Sequence, residues 1–218
     1  MSENVEFASN GDKASGYLAT AKEGAGPGMI VVQEWWGLDS YITSVCDELA
    51  AEGFTALAPD LYHGSRADNE VDEAERLLME LDREHAVAEV AVTVNELRRR
   101  GCAKVGVIGF CMGAALAFAA SAACPVDATV GYYGIWPHSG ERDITSPILV
   151  HVAEHEEHNW PALPEHFPKW FEGMENAEVH IYWGTDHAFF NDTRPSYDAT
   201  AAKLSWDRTV AFFREHLA

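Results

Sequence analysis

The stretch Val105-Gly106-Val107-Ile108-Gly109-Phe110-Cys111-Met112-Gly113, with the alanine-rich run Ala114 to Ala123 behind it, decides how this chain folds. Four apolar residues read as a buried strand, and the alanines read as a helix. Between them Gly109-Phe110-Cys111-Met112-Gly113 has the G-x-S-x-G spacing of a nucleophile elbow, with cysteine in the serine position. Such an elbow turns a strand into a helix so sharply that the central side chain projects from strained backbone. Glycine is required on either side because a side chain there would meet the neighbouring strand or helix. The first amides of the following helix are free to stabilise a developing oxyanion.

Outward from the elbow, strands alternate with helices. Strands are predicted at Met29 to Val32, Phe54 to Ala58, Lys104 to Ile108, Ala128 to Tyr133, Ile148 to Val152 and Glu178 to Trp183. Val5 to Ala8 and Tyr17 to Ala19 flank the hairpin signal Asn10-Gly11-Asp12. Helices are predicted from Asp39 or Ser40 to Glu52, over Val71 to Leu81, His85 to Arg100, Gly113 to Ala123, roughly Leu163 to Met174, and Asp198 to His216. Short, fully apolar strands between helices imply a mostly parallel sheet covered on both faces. Sites in such sheets gather beyond the carboxyl ends of the strands. The basic run Arg98-Arg99-Arg100 is read as a partner of its helix's C-terminal dipole, with anion binding as the weaker alternative.

The chain has 218 residues and 47% hydrophobic content, enough for one sizeable core, and residues 1–218 are read as a single domain. No apolar run reaches the ~18 residues of a membrane span, and the polar, acidic start Met1 to Glu6 lacks the pattern of a secretory signal. A formal net charge of −20 argues against nucleic acid and anionic membranes as partners. Cys46, Cys102, Cys111 and Cys124 form no C-x-x-C pair, which argues against a zinc ribbon or dithiol centre. Cys46, Cys102 and Cys124 read as small apolar residues, and a reducing, cytoplasmic location fits free thiols.

A cysteine nucleophile needs a base, and in this architecture the order along the chain is nucleophile, acid, histidine. His187 lies in the loop after the last strand and before the last helix, where the base belongs. The acid belongs after the strand Ile148 to Val152, within Ala153-Glu154-His155-Glu156-Glu157-His158, where three glutamates compete. One of them is expected to orient His187 through its other ring nitrogen.

With these residues in place, the chain resembles the dienelactone hydrolase family of α/β-hydrolases over nearly its whole length. The resemblance rests on Gln33-Glu34-x-x-Gly37, Ala58-Pro59-Asp60-Leu61-Tyr62, Gly109-Phe110-Cys111-Met112-Gly113, Gly131-Tyr132-Tyr133-Gly134 and His187-Ala188-Phe189. It implies an α/β-hydrolase fold and a cofactor-free hydrolase of small esters or lactones. Cys111 would be the nucleophile, His187 the base, and the Trp35 and Met112 amides the oxyanion hole. Glu34 matches a family glutamate that approaches the resting cysteine and moves when substrate arrives; like charge beside the thiol would oppose thiolate formation. The family's acid is usually aspartate. Here the position selects Glu156, one methylene longer, with Glu157 as the alternative. An arginine that grips the substrate carboxylate in dienelactone-specific members falls on Asn191, and Arg194 is the candidate to replace it.

Two other readings compete with this one. A metal site among His151, His155, His158 and the glutamates is disfavoured: His155 and His158 are three apart, and His151 in its apolar strand reads as a hydrogen-bonded core histidine. No metal is therefore expected. The fold could also serve a non-catalytic ligand binder or thiol sensor, which activated-ester turnover lost on mutating Cys111 would separate from an enzyme. An aromatic set (Trp35, Trp36, Tyr62, Tyr133, Trp136, Phe189, Phe190) is read as either pocket lining or core. A monomer or small homo-oligomer is expected.

Overall fold

A computed structural model describes residues 1–9, 12–22, 24, 26–134, 143–156 and 169–218. Among these residues eight strands form one sheet: β1 (Ser2–Ser9), β2 (Asp12–Ala19), β3 (Gly28–Val32), β4 (Thr55–Pro59), β5 (Val105–Phe110), β6 (Ala128–Tyr132), β7 (Ile148–His155) and β8 (Ala177–Asp186). Their spatial order is β1-β2-β4-β3-β5-β6-β7-β8. The N-terminal hairpin and its junction with β4 are antiparallel, and every later pairing is parallel. This is the mostly parallel sheet of the α/β-hydrolase fold, with β5 and its elbow near the centre.

Among the described residues five helices cover the sheet: α1 (Ser40–Ala51), α2 (Val71–Glu80), α3 (Arg83–Arg99), α4 (Met112–Ala123) and α5 (Ala199–Leu217). The fully buried strands β3, β5 and β6 send alternate residues to opposite faces. Met29, Val31, Ile108 and Phe110 pack with Tyr41, Ile42, Leu49 and Phe213 of α1 and α5. Ile30, Val32, Val105 and Val107 pack with Val90, Val94, Leu97 and Leu116 of α3 and α4. Three aspartates start helices by accepting amide hydrogen bonds: Asp39 from Ile42 at 3.0 Å, Asp82 from His85 at 3.1 Å and Asp198 from Ala201 at 2.8 Å. Each such cap is worth about 1 kcal/mol. Arg98 and Arg99 lie in the last turn of α3, as the dipole reading required, and Glu96 takes both Arg99 and Arg100.

The largest departures from the sequence reading are at the far edge. Strand β7 continues three residues beyond Val152, and β8 continues to Asp186. Their pairing slips between Ala153↔Tyr182 and His155↔Asp186, so two extra residues of β8 bulge outward. Glu154 holds that bulge, its Oε2 accepting the Gly184 amide at 2.6 Å. Glu154 therefore does more than face solvent. Most of the helix expected from Leu163, and the turn at Asn10-Gly11, lie outside the described residues, as do Trp136, Glu157 and His158. Among the described residues no helix is long and apolar enough to cross a membrane.

Candidate active site

The elbow is built by close approach. A Cβ on Gly109 would stand 2.1 Å from the Gly113 carbonyl oxygen, and one on Gly113 would stand 2.4 Å from the carbonyls of Val32 and Gln33. Only glycine lets α4 begin against β5 and against the end of β3. Cys111 sits between them at φ 52°, ψ −123°, a left-handed conformation costly for a side chain-bearing residue. Its amide donates to the Tyr132 carbonyl at 3.0 Å, and its own carbonyl accepts the Ala114 amide at 3.0 Å, which fixes the turn. The side chain is half-buried. Met112 opens α4, where the first amides have no intrahelical acceptor. Since Gly113 abuts the end of β3, that opening turn lies against the strand that leads into Trp35.

The β7–β8 bulge brings the next two residues together. His155 pairs with Asp186, and the His187 amide donates to the His155 carbonyl at 3.0 Å, so Glu156 and His187 leave the sheet edge side by side. Glu156 is buried. Its Oε2 lies 2.6 Å from His187 Nδ1, and its Oε1 accepts the Ala153 amide at 3.1 Å. Cys111 is the other group that acts on the imidazole. Burial opposes charge on this ring, but its interactions with Cys111, then the hydrogen bond and charge of Glu156, outweigh it. They hold the His187 pKa well above the usual imidazole value. Tyr133, edge-on with its ring centroid 5.1 Å from that of His187, walls the imidazole.

Glu34 is also buried, with partners other than the expected thiol. Tyr133 Oη donates to its Oε1 at 3.1 Å and Asn191 Nδ2 to its Oε2 at 2.8 Å. Tyr41 Oη lies 3.3 Å from Tyr133 Oη and extends the chain of hydroxyls. Two neutral donors satisfy the carboxylate, while burial pushes its pKa up. Asn191, fully buried on Glu34, is committed to the interior and cannot take the place of a substrate-gripping arginine. Arg194 is different. Its guanidinium carbon lies 3.7 Å from the Trp36 ring centroid, and its buried Nε and Nη2 have no hydrogen-bond acceptor among the described residues.

The aromatic set divides. Tyr62, Tyr133, Phe189, Phe190 and Trp36 are buried in the core, and of its described members only Trp35 is half-buried. The remaining cysteines fit their expected place: burial pushes the thiol pKa of Cys46, Cys102 and Cys124 up, away from reactivity. His151 is a core histidine, with Nδ1 2.8 Å from Tyr182 Oη and Nε2 2.9 Å from Thr209 Oγ1. Sequence reasoning missed the joint role of Tyr133 and Asn191 in holding Glu34, because the three residues span 157 positions and only the fold joins them.

Residues 14–217 match the model of the dienelactone hydrolase family. Protein usf of Aquifex pyrophilus is 39% identical, with all of both chains covered. A protein of Aquifex aeolicus, provisionally named a carboxymethylenebutenolidase, is 37% identical with the same coverage. A crystal structure from Klebsiella pneumoniae, provisionally described as a dienelactone hydrolase, superposes with a TM-score of 0.83 at 25% identity, over 98% of this chain and 99% of that one.

Proposed function

This chain belongs to the dienelactone hydrolase family and is an ester or lactone hydrolase, and from that premise we propose that it works through a Cys111–His187–Glu156 triad and an acyl-enzyme. One observation carries the proposal: a single imidazole has a carboxylate 2.6 Å from Nδ1, and the elbow residue Cys111 is the strongest influence favouring its charged form. With Nδ1 engaged by Glu156, Nε2 serves the sulfur. Cys111 Sγ attacks the substrate carbonyl as thiolate, and the Trp35 and Met112 amides receive the oxyanion. Collapse of the tetrahedral intermediate breaks the ester or ring C–O bond, and His187 gives its proton to the departing oxygen. Water, deprotonated by His187, then adds to the thioester, and a second collapse releases the acid and restores the cysteine. Glu34, held by Tyr133 and Asn191 in this arrangement, supplies the charge that discourages a resting thiolate when it turns toward Cys111.

The named relative's butenolide points to a small unsaturated lactone bearing a carboxylate as the substrate class. Arg194, with two guanidinium nitrogens awaiting acceptors beside Trp36, is the group proposed to meet that carboxylate. The test is a panel of lactones and aryl esters with and without a carboxylate. Wild type is expected to favour carboxylate-bearing lactones, with a covalent thioester at Cys111 trapped by mass spectrometry. Arg194→Ala should raise KM for those lactones ~10-fold, as expected for one lost charged hydrogen bond, and leave neutral esters within ~2-fold. Equal loss on both classes would remove Arg194 from substrate recognition. Turnover by Cys111→Ala would remove the triad.

A further inference from the structure

A second group of chemistry-bearing residues lies away from the triad, where the loop after β4 crosses α3. His63 Nε2 lies 3.6 Å and His85 Nε2 3.8 Å from Glu89 Oε2, and ligand atoms of all three residues fall within 4.8 Å of one another. These separations are too long for hydrogen bonds. They suit a shared ion: two ligands at ~2.1 Å from a tetrahedral centre stand ~3.4 Å apart. His85 and Glu89 are one helical turn apart on α3, so they share a face.

The group is held in advance of any ligand. His63 sits at φ 50°, and Asp60 fixes the loop around it, accepting the Tyr62 amide at 3.2 Å and the Gly64 amide at 2.7 Å. Glu89 is 1% exposed, and its Oε1 has no hydrogen-bond partner among the described residues. A buried carboxylate with an orphaned oxygen is costly unless a cation answers it. Among the described residues no lysine or arginine lies within ion-pair distance of Glu89; Arg76, on the same cavity, is engaged by Glu73 and Glu80. The histidines are half-exposed on a cavity of about 400 Å³, also lined by Tyr62, Arg76 and Asp82, which leaves a fourth position open to exchangeable water.

We propose that His63, His85 and Glu89 bind one zinc-class divalent cation, with two imidazole nitrogens and one carboxylate as ligands. Two nitrogens and one oxygen in tetrahedral array select zinc, or cobalt in its place, over magnesium and calcium, which take oxygen ligands. The ion would tie the β4–α2 loop to α3. That loop carries Tyr62, whose hydroxyl lies 3.6 Å from Met112 Sδ at the elbow. The site is independent of the hydrolytic assignment.

The test uses chelator-treated Cys111→Ala protein, which removes the thiol as a competing ligand. Cobalt is titrated in and read by its visible d–d bands, followed by competition with zinc. One ion per chain is expected, displaced by zinc, with no thiolate charge-transfer band. His63→Ala and His85→Ala should each weaken binding by at least ~100-fold, since even outer partners of a metal site are worth 10–100-fold. His63 is half-exposed, so its replacement leaves the fold a fair control if the buried Glu89→Gln fails to fold. Absence of saturable binding, or binding unchanged in both histidine variants, overturns the proposal. The histidines would then serve only as polar neighbours of Glu89.

Discussion

His151 lies within β7 and His187 just beyond the end of β8, both largely removed from water, and their surroundings push their pKa values in opposite directions. Burial acts on both in one direction, against protonation. His151 meets two hydroxyls, Tyr182 and Thr209, and the positive charges of His180 and Arg208, so nothing offsets burial and its pKa falls well below the usual value. His187 meets Cys111 and a carboxylate, and its pKa rises. Depth in the fold therefore does not tell a core histidine from a reactive one; the charge of the partners does. The most severe test strips His187 of Cys111. Cys111→Ala should lower kcat/KM by at least ~10⁴-fold in a protein that still folds, since the proposed nucleophile supplies chemistry. It should also bring the His187 pKa, read by NMR titration, down toward His151. Retained turnover would break the contrast at its root.

Glu156→Gln takes the other partner. A neutral amide favours the wrong tautomer and removes charge from the imidazolium, so kcat should fall by at least ~10²-fold. Glu154→Gln, whose carboxylate accepts the Gly184 amide and lies 3.9 Å from His155 Nε2, should stay within ~10-fold. Steady-state rates on an activated aryl ester measure both. A larger loss from Glu154 would mean that the bulge, more than the carboxylate, sets the geometry of His187.

Why Glu156 was harder to see than Cys111 follows from the same edge. The elbow is written in local residue types: Gly109 and Gly113 where no Cβ fits, an apolar strand before and alanines after. The core strands were legible because they are buried on both faces. Strands β7 and β8 run on through Glu154, His155, Trp183 and Gly184, polar or exposed residues that break an apolar pattern. Only their slipped pairing aligns Glu156 with His187, and register between distant segments is not a local property. The extra methylene of glutamate is absorbed there, with one oxygen on the imidazole and the other on the Ala153 amide. The pair of His63 with His85 and Glu89 escaped for a similar reason: one histidine is on a loop, and the shared face of the other two became meaningful only once that loop was placed against it.

At His151 the neutral partners can be removed in turn. Tyr182→Phe leaves Nδ1 without its hydroxyl in a buried setting, which should cost about 1–3 kcal/mol of stability. Because Tyr182 acts on the structural histidine, kcat should remain within ~3-fold. Urea unfolding and ester turnover on the same preparation would show the two effects apart, and a kcat loss matching that of Glu156→Gln would join regions that are here described as separate.

The smallest effect is the most discriminating, because the two histidines should bend stability against pH in opposite senses. The unfolded chain protonates His151 near pH 6.5, whereas the folded chain resists until far lower. Stability must therefore fall as pH drops below about 6.5, by up to about 1.4 kcal/mol per pH unit from this residue. For His187 the folded chain keeps its proton to higher pH than the unfolded one. Its contribution is full below about 6.5 and disappears as pH rises through the raised folded value. His151→Gln, which retains hydrogen-bonding groups toward Tyr182 and Thr209, should flatten the acid limb of a stability–pH profile and spare the alkaline limb. Cys111→Ala should reduce the alkaline limb and spare the acid one. The slopes carry the argument, because either substitution shifts absolute stability for reasons of packing. If His151→Gln left the acid slope intact, the buried ring would have to be taking up a proton in the folded state, and partner charge would no longer explain why one of these histidines is neutral.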